Sequence, residues 1–219
     1  MKTERLELPG IEISLEDFLK SMKLELEEED QETLQDMLTE AGKLARPKAI
    51  YGMAPIEEKG EDYIVADGIR LTSERVRRNV DKVNRIVPYV ATCGTELEQW
   101  AERITDPLEA YWADGIMLRS LMEIRKVLRE TVKSKYFPAG DLSFMSPGSL
   151  PEWPLKEQEA VFGLLGDVAG EIGVRLTDSY LMIPRKSGSG IFFSAQTHYE
   201  DCQYCERLDC PGRRAKKLG

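Results

Sequence analysis

The chain is poor in the residues that most often do chemistry in water. It has one histidine, His198, four cysteines and an aromatic fraction of 8% in 219 residues. A single histidine beside a polar tail leaves little from which to assemble a Ser-His-Asp constellation. No apolar run approaches the roughly 18 residues of a membrane span. The first ten residues are charged and lack the apolar core of a signal peptide. We therefore expect a cytoplasmic protein with no membrane contact. Positive charge is not in surplus either: 30 Lys and Arg against 39 Asp and Glu leave a net charge of −9. Sequence-independent nucleic-acid binding needs a cationic surface that displaces counterions, so no nucleic-acid partner is expected. No internal repeat and no lysine-and-hydroxyl phosphate loop is present.

What is there is a globular mixture, 42% hydrophobic and 32% charged, long enough to bury a core without disulfides. Leu6, Leu8, Ile11 and Ile13 read as a short strand interrupted at Pro9-Gly10, and Ser14 with Asp17 as a helix start. Residues 24–40 are very acidic, and Glu25, Glu27, Glu28, Glu29 and Asp30 read as a solvated helix start or loop. A strand or hairpin arm is expected over 63–69. A helix from Ser73 follows, with Val76, Val80, Val83 and Val87 on one face. Pro88 opens a buried strand, PYVATCG, and Thr95 caps a helix around 97–104. Asp106-Pro107 starts the longest helix, running to about Lys133, with Gly115 inside it for close packing. Residues 138–154 read as a loop rich in Pro, Gly and Ser. Helices follow around 156–166 and 167–172, stopped at Gly173, and strands over 176–183 and 189–194. Strands and helices mix without regular βαβ alternation, so the expected class is α+β: an antiparallel mixed sheet with flanking helices. One domain is expected over 1–199, with a cysteine-rich tail over 200–219.

Two constellations carry chemistry. In the first, Ser146-Pro147-Gly148-Ser149 is a tight turn that exposes backbone N–H groups, and Gly148 lets a ligand approach the main chain. Ser187-Gly188-Ser189-Gly190 is a second donor-rich segment. Trp153, set among prolines and glutamates, is the candidate cofactor-facing aromatic, whereas Trp100 and Trp112 read as core. The second constellation is Cys202-x2-Cys205-x4-Cys210. A two-residue spacer lets two thiolates face one metal, with His198 or Cys93 as the fourth ligand, and the spacing does not choose between zinc and an iron–sulfur cluster.

The first set, taken in order, resembles the reactivation domain of cobalamin-dependent methionine synthase. That family has a turn Arg-x-x-Pro-Gly-Tyr, a helix, Ile-Gly-Val-x-Leu-Thr-(Glu/Asp)-Ser, and Ser-x-Ser-Gly before an aromatic strand. This chain has Pro147-Gly148, then Ile172-Gly173-Val174-Arg175-Leu176-Thr177-Asp178-Ser179, then Ser187-Gly188-Ser189-Gly190 with Phe192-Phe193-Ser194. PYVATCGTELEQW and DPLEAYWADGIM also look like segments of small stand-alone relatives, so the resemblance covers most of 45–194. It implies a domain that presents S-adenosylmethionine to an oxidised corrinoid for reductive methylation. Pro147, Gly148, Ser149, Trp153, Ser189 and Phe192 are then the cofactor-binding candidates. The family arginine falls at Phe144, its turn tyrosine at Ser149 and its strand tyrosine at Phe192. These departures imply weaker binding of the methyl donor, because charge-assisted contacts are the strong ones.

The expected function is that of an accessory reactivation protein for a methionine synthase or a related corrinoid methyltransferase. It would be tied to a methyltransferase reaction with no catalytic residue of its own assigned. The alternative is a corrinoid-protein redox or binding module, with a metal or iron–sulfur centre in the tail and no methyl-donor binding. The partners so implied are the corrinoid protein with its cobalamin and an electron-donor protein.

Overall fold

Local signals set most of the boundaries in the computed structural model, which describes residues 1–195, 199–210, 213 and 215–218. In chain order the elements are β1 (Thr3–Glu7), α1 (Leu15–Met22), α2 (Glu28–Leu44), β2 (Lys48–Gly52), β3 (Ala54–Lys59), β4 (Tyr63–Ala66) and β5 (Ile69–Thr72). Then come α3 (Glu74–Asn79), β6 (Arg85–Thr92), α4 (Thr95–Ala101), α5 (Pro107–Tyr136) and β7 (Asp141–Met145). The remainder are α6 (Gln158–Leu165), α7 (Val168–Ile172), β8 (Arg175–Leu176), β9 (Met182–Ile183) and β10 (Ser187–Ala195). Ser14 and Ser73 cap α1 and α3 by accepting from the amides of Asp17 and Val76. Asp106 caps α5 by accepting from Leu108 and Glu109, with Pro107 at the first helical position. α7 ends at Gly173 in the left-handed region, as its sequence implies.

Eight strands form one antiparallel sheet around β6, and β8 pairs with β9 in a separate two-stranded sheet. β10 pairs with β6 over Phe192↔Val87 to Ser187↔Thr92, and β7 lies outside β10. β2 pairs with the C-terminal half of β6 and β3 with its first two residues. β1 borders β2, and β4 and β5 extend β3 as a meander. Both faces are covered. Along β6, Val87, Tyr89 and Ala91 enter a core under α1, α2, α4 and α5, while Ile86 and Val90 enter a second core under α3, α6 and α7. β10 splits the same way, with Phe192 in the first core and Ile191 and Phe193 in the second. Gly115 lies where a Cβ would come within 3.0 Å of the Phe18 ring, so α1 and α5 pack closely there, as expected.

Three expectations are corrected. The four valines do not share one helix. α3 stops at Val80, Val83 lies in the following turn, and Val87 is in β6. Pro88 disfavours helical backbone at Val87, and the β-branched run around it suits a sheet buried on both faces. The stretch 138–154 is not all loop: β7 runs through it, hidden between Pro138-Ala139-Gly140 and Ser146-Pro147-Gly148. Residues 176–183 are not one strand. β8 and β9 are two residues each, joined by a turn in which Tyr180 has φ 63°.

Candidate functional site

The resemblance segments meet at one place, an open groove of about 430 Å³. That volume is in the range typical of small-molecule sites, roughly 300–1,000 Å³. One wall is the turn after β7, with Ser146, Pro147 and Ser149. A second is β10, with Ser187, Gly188 and Ser189. The Tyr180–Met182 stretch and Leu155 close the sides. The turn is shaped by main-chain bonds: Gly148 N donates to Trp153 O at 2.7 Å and Ser149 N to Ser146 O at 3.2 Å. Gly148 has φ 78°, a left-handed conformation that disfavours a side chain.

Gln158, on α6, ties two walls together. Its carboxamide nitrogen donates to Tyr180 O at 2.6 Å, and its oxygen accepts from Ser189 Oγ at 2.8 Å. Gln158 and Ser189 are both buried. Two guanidiniums face the groove. Arg185 comes from the segment before β10, and its Nε donates to Glu98 Oε1 at 2.9 Å; this bond to a carboxylate raises the Arg185 pKa further above its ordinary value. Arg125 comes from α5 and lies beside Gly188. Its Nη2 donates to Tyr89 OH at 3.4 Å, and among the described residues it has no carboxylate partner. None of the described lining residues is Asp, Glu, His or Cys. The groove can therefore bind and orient an anionic or hydrogen-bonding ligand, but it offers no general acid or base of the usual carboxylate, imidazole or thiol kind.

Of the sequence candidates, Pro147, Ser149 and Ser189 line the groove, and Gly148 is part of its turn. Trp153 and Phe192 do not line it. Trp153 is buried in the second core, because residues 149–154 fold back and turn the indole inward. Phe192 faces the opposite side of the sheet and stacks on Tyr89 with ring centroids 4.5 Å apart, since alternate residues of a strand take opposite faces. Its effect on the groove is indirect, through the Tyr89 hydroxyl that meets Arg125. The sequence reading missed Arg125 and Gln158. Each sits in a helix whose face is apparent only once α5 and α6 are docked.

The tail is organised by an arginine. Arg213 donates through Nη1 to the carbonyls of Cys202 and Ala215 at 2.7 and 3.0 Å, and through Nη2 to those of Cys205 and Arg207 at 2.8 and 2.9 Å. Cys202, Cys205 and Cys210 are partly exposed and free of disulfides. Among the described residues no group of three or more His, Cys, Asp or Glu is placed to hold a metal ion, and His198 lies outside them. Cys93 is fully buried in the first core, away from solvent and from any tail ligand role. Burial, with Glu98 nearby, pushes its thiol up to about 12.

Fold and groove thus define a class: an α+β domain with helices on both faces of an antiparallel sheet and an open groove at the end of its central strands. No family model and no curated protein matches the chain. Among solved structures it is similar to the crystal structure of the MetH reactivation domain bound to AdoHcy. The TM-score is 0.66 at 18% identity, and the match covers 91% of this chain and 81% of that chain. The chain has the fold of that reactivation domain.

Proposed function

We propose that this protein is an accessory reactivation protein for a corrinoid methyltransferase, either a cobalamin-dependent methionine synthase or a related enzyme, and that its groove takes S-adenosylmethionine. The observation carrying this reading is the convergence of the Pro147-Gly148 turn, the Tyr180–Met182 stretch and the Ser187-Gly188-Ser189 strand on one groove with a guanidinium, Arg125, that has no carboxylate partner among the described residues. The solved domain of the same fold carries AdoHcy, which supports an adenosyl amino acid as the ligand. The residues present suit such a ligand. Arg125 would hold the carboxylate, Ser149 and Ser189 would offer hydroxyls, and Leu155, Leu181 and Met182 would give apolar surface to a purine. The bound sulfonium would supply the methyl group. The chain's own part is to bind, orient and present, consistent with described lining residues that include no acid, histidine or cysteine.

The test is reconstitution. A corrinoid methyltransferase with its cobalamin in the cobalt(II) state is mixed with a one-electron reductant and S-adenosylmethionine, with and without this protein. Methylcobalamin formation that depends on the protein supports the proposal. Equal rates with and without it, across candidate partners, count against it. A second reading, a corrinoid-binding redox module with no methyl donor, is favoured by one observation: three partly exposed thiols lie in a tail bonded to the groove turn. Calorimetry with S-adenosylmethionine separates the two: binding supports the first reading and its absence the second.

A further inference from the structure

Past β10 the chain returns across β7, and this return is built into the sheet edge. Tyr199 N donates to Ser143 Oγ at 2.9 Å and Phe144 N to Tyr199 O at 3.4 Å, and Phe144 and Glu200 form a parallel bridge. Glu200 also accepts from Arg129 Nη1 at 3.2 Å. Tyr199, Glu200 and Asp201 are all buried. One step further, Ser146 N donates to Asp201 Oδ2 at 2.8 Å, while Tyr199 OH donates to Asp201 Oδ1 at 3.1 Å.

Ser146 is the first residue beyond β7, so its amide has left the β10 ladder, and it opens the turn that forms one wall of the groove. We infer that residues 199–204 are a strap that sets the shape of this turn, and that Asp201 is a positioning residue for ligand binding. This inference rests on the reading of the groove as the ligand site. The strap also reaches the far end of the same loop. The Tyr204 ring stacks on Tyr199 at 5.5 Å and lies beneath the Arg75 guanidinium at 4.6 Å. Arg75 in turn bonds Glu152 at 2.6 Å. The loop 146–154 is thereby held at both ends by one short segment. Arg213 fixes the carbonyl of Cys202, the residue next to Asp201, so the cysteine segment and the groove turn are mechanically joined.

A buried carboxylate that accepts an amide proton makes a charge-assisted bond, and its removal leaves the amide without its partner. The test compares Asp201→Ala, Asp201→Asn and Tyr199→Phe in the full chain. Ser146 amide exchange is read by NMR, and affinities for S-adenosylhomocysteine and S-adenosylmethionine by calorimetry. Asp201→Ala should speed Ser146 exchange and weaken ligand binding, each by about tenfold. Asp201→Asn should restore both, because its Oδ1 still accepts from Ser146 while its amide faces the Tyr199 hydroxyl. Ser146 protection and affinity unchanged in Asp201→Ala, or no rescue by Asn, would overturn the inference. If the parent protein binds neither ligand, the groove reading fails by itself. Ser146 exchange then decides the strap: faster in Ala and restored in Asn supports it, and unchanged in Ala overturns it. If Asp201→Ala does not fold, Tyr199→Phe takes its place, with a smaller rise in Ser146 exchange expected and no rise counting against the strap.

Discussion

Replacing Gln158 by leucine removes one carboxamide and breaks two bonds that hold the groove walls. Leucine keeps much of the volume but leaves Ser189 Oγ and the Tyr180 carbonyl without their partner. Ser189 is 4% exposed and position 158 is 2% exposed, so water cannot readily substitute at the hydroxyl. Each stranded polar group costs about 1–3 kcal/mol. The Tyr180 carbonyl lies in a half-buried turn and can recover some solvent, so the sum is about 2–4 kcal/mol. For a chain of this size that corresponds to a melting temperature lower by ~5–15 °C. Calorimetric melting of Gln158→Leu measures it, and the double variant Gln158→Leu/Ser189→Ala supplies the control. Removing the stranded hydroxyl should recover about 1 kcal/mol. A Gln158→Leu protein that melts with the parent, or a double variant less stable than the single one, would refute the reasoning.

Gly148→Ala places a Cβ 2.8 Å from Leu155 Cδ1 at φ 78°; a cost of about 1–2 kcal/mol should lower the melting temperature by ~2–8 °C, read by thermal denaturation. Stability should fall as pH rises above about 9. Cys93 ionises near 9.0 when unfolded but is pushed up to about 12 in the fold, and Tyr51 and Tyr136 are raised from 10.0 to about 12 by burial and by their bonds to Glu4. In that window the unfolded chain binds fewer protons, so the stabilisation present below it is lost; urea denaturation at pH 8, 9 and 10 checks the sign. For the tail, we propose that Cys202, Cys205 and Cys210 take up one zinc ion or an iron–sulfur cluster with His198 as the fourth ligand. About one metal centre per chain is expected by elemental analysis after anaerobic purification, and three freely titratable thiols without metal would count against it.

Much of the fold was legible because its signals are local. The caps at Ser14, Ser73 and Asp106, the stop at Gly173 and the buried run after Pro88 each depend on a few neighbouring residues. What was not legible depends on pairing. β7 is a five-residue edge strand between breaker-rich flanks, specified by its register with β10. The valine series mimics a helix period because α3, a turn and β6 follow one another with apolar residues at compatible intervals. The groove was half legible. Pro147, Gly148, Ser149 and Ser189 are near their segments' turns and strand ends, where motif and position coincide. Trp153 looked exposed from its prolines and glutamates, yet the loop's fold buries it. The guanidinium that the resemblance implies is absent at Phe144, and Arg125, nineteen residues earlier on another element, is one of the two guanidiniums that line the groove instead. No linear motif announces a side chain delivered across a sheet face.

Titration calorimetry of the parent protein and Arg125→Gln with S-adenosylmethionine tests the central claim most directly. The account predicts saturable one-to-one binding to the parent. In Arg125→Gln the affinity should fall roughly tenfold or more, the worth of a charge-assisted bond at a half-buried guanidinium. Absence of saturable binding to the parent, or equal affinity in the two proteins, would contradict it.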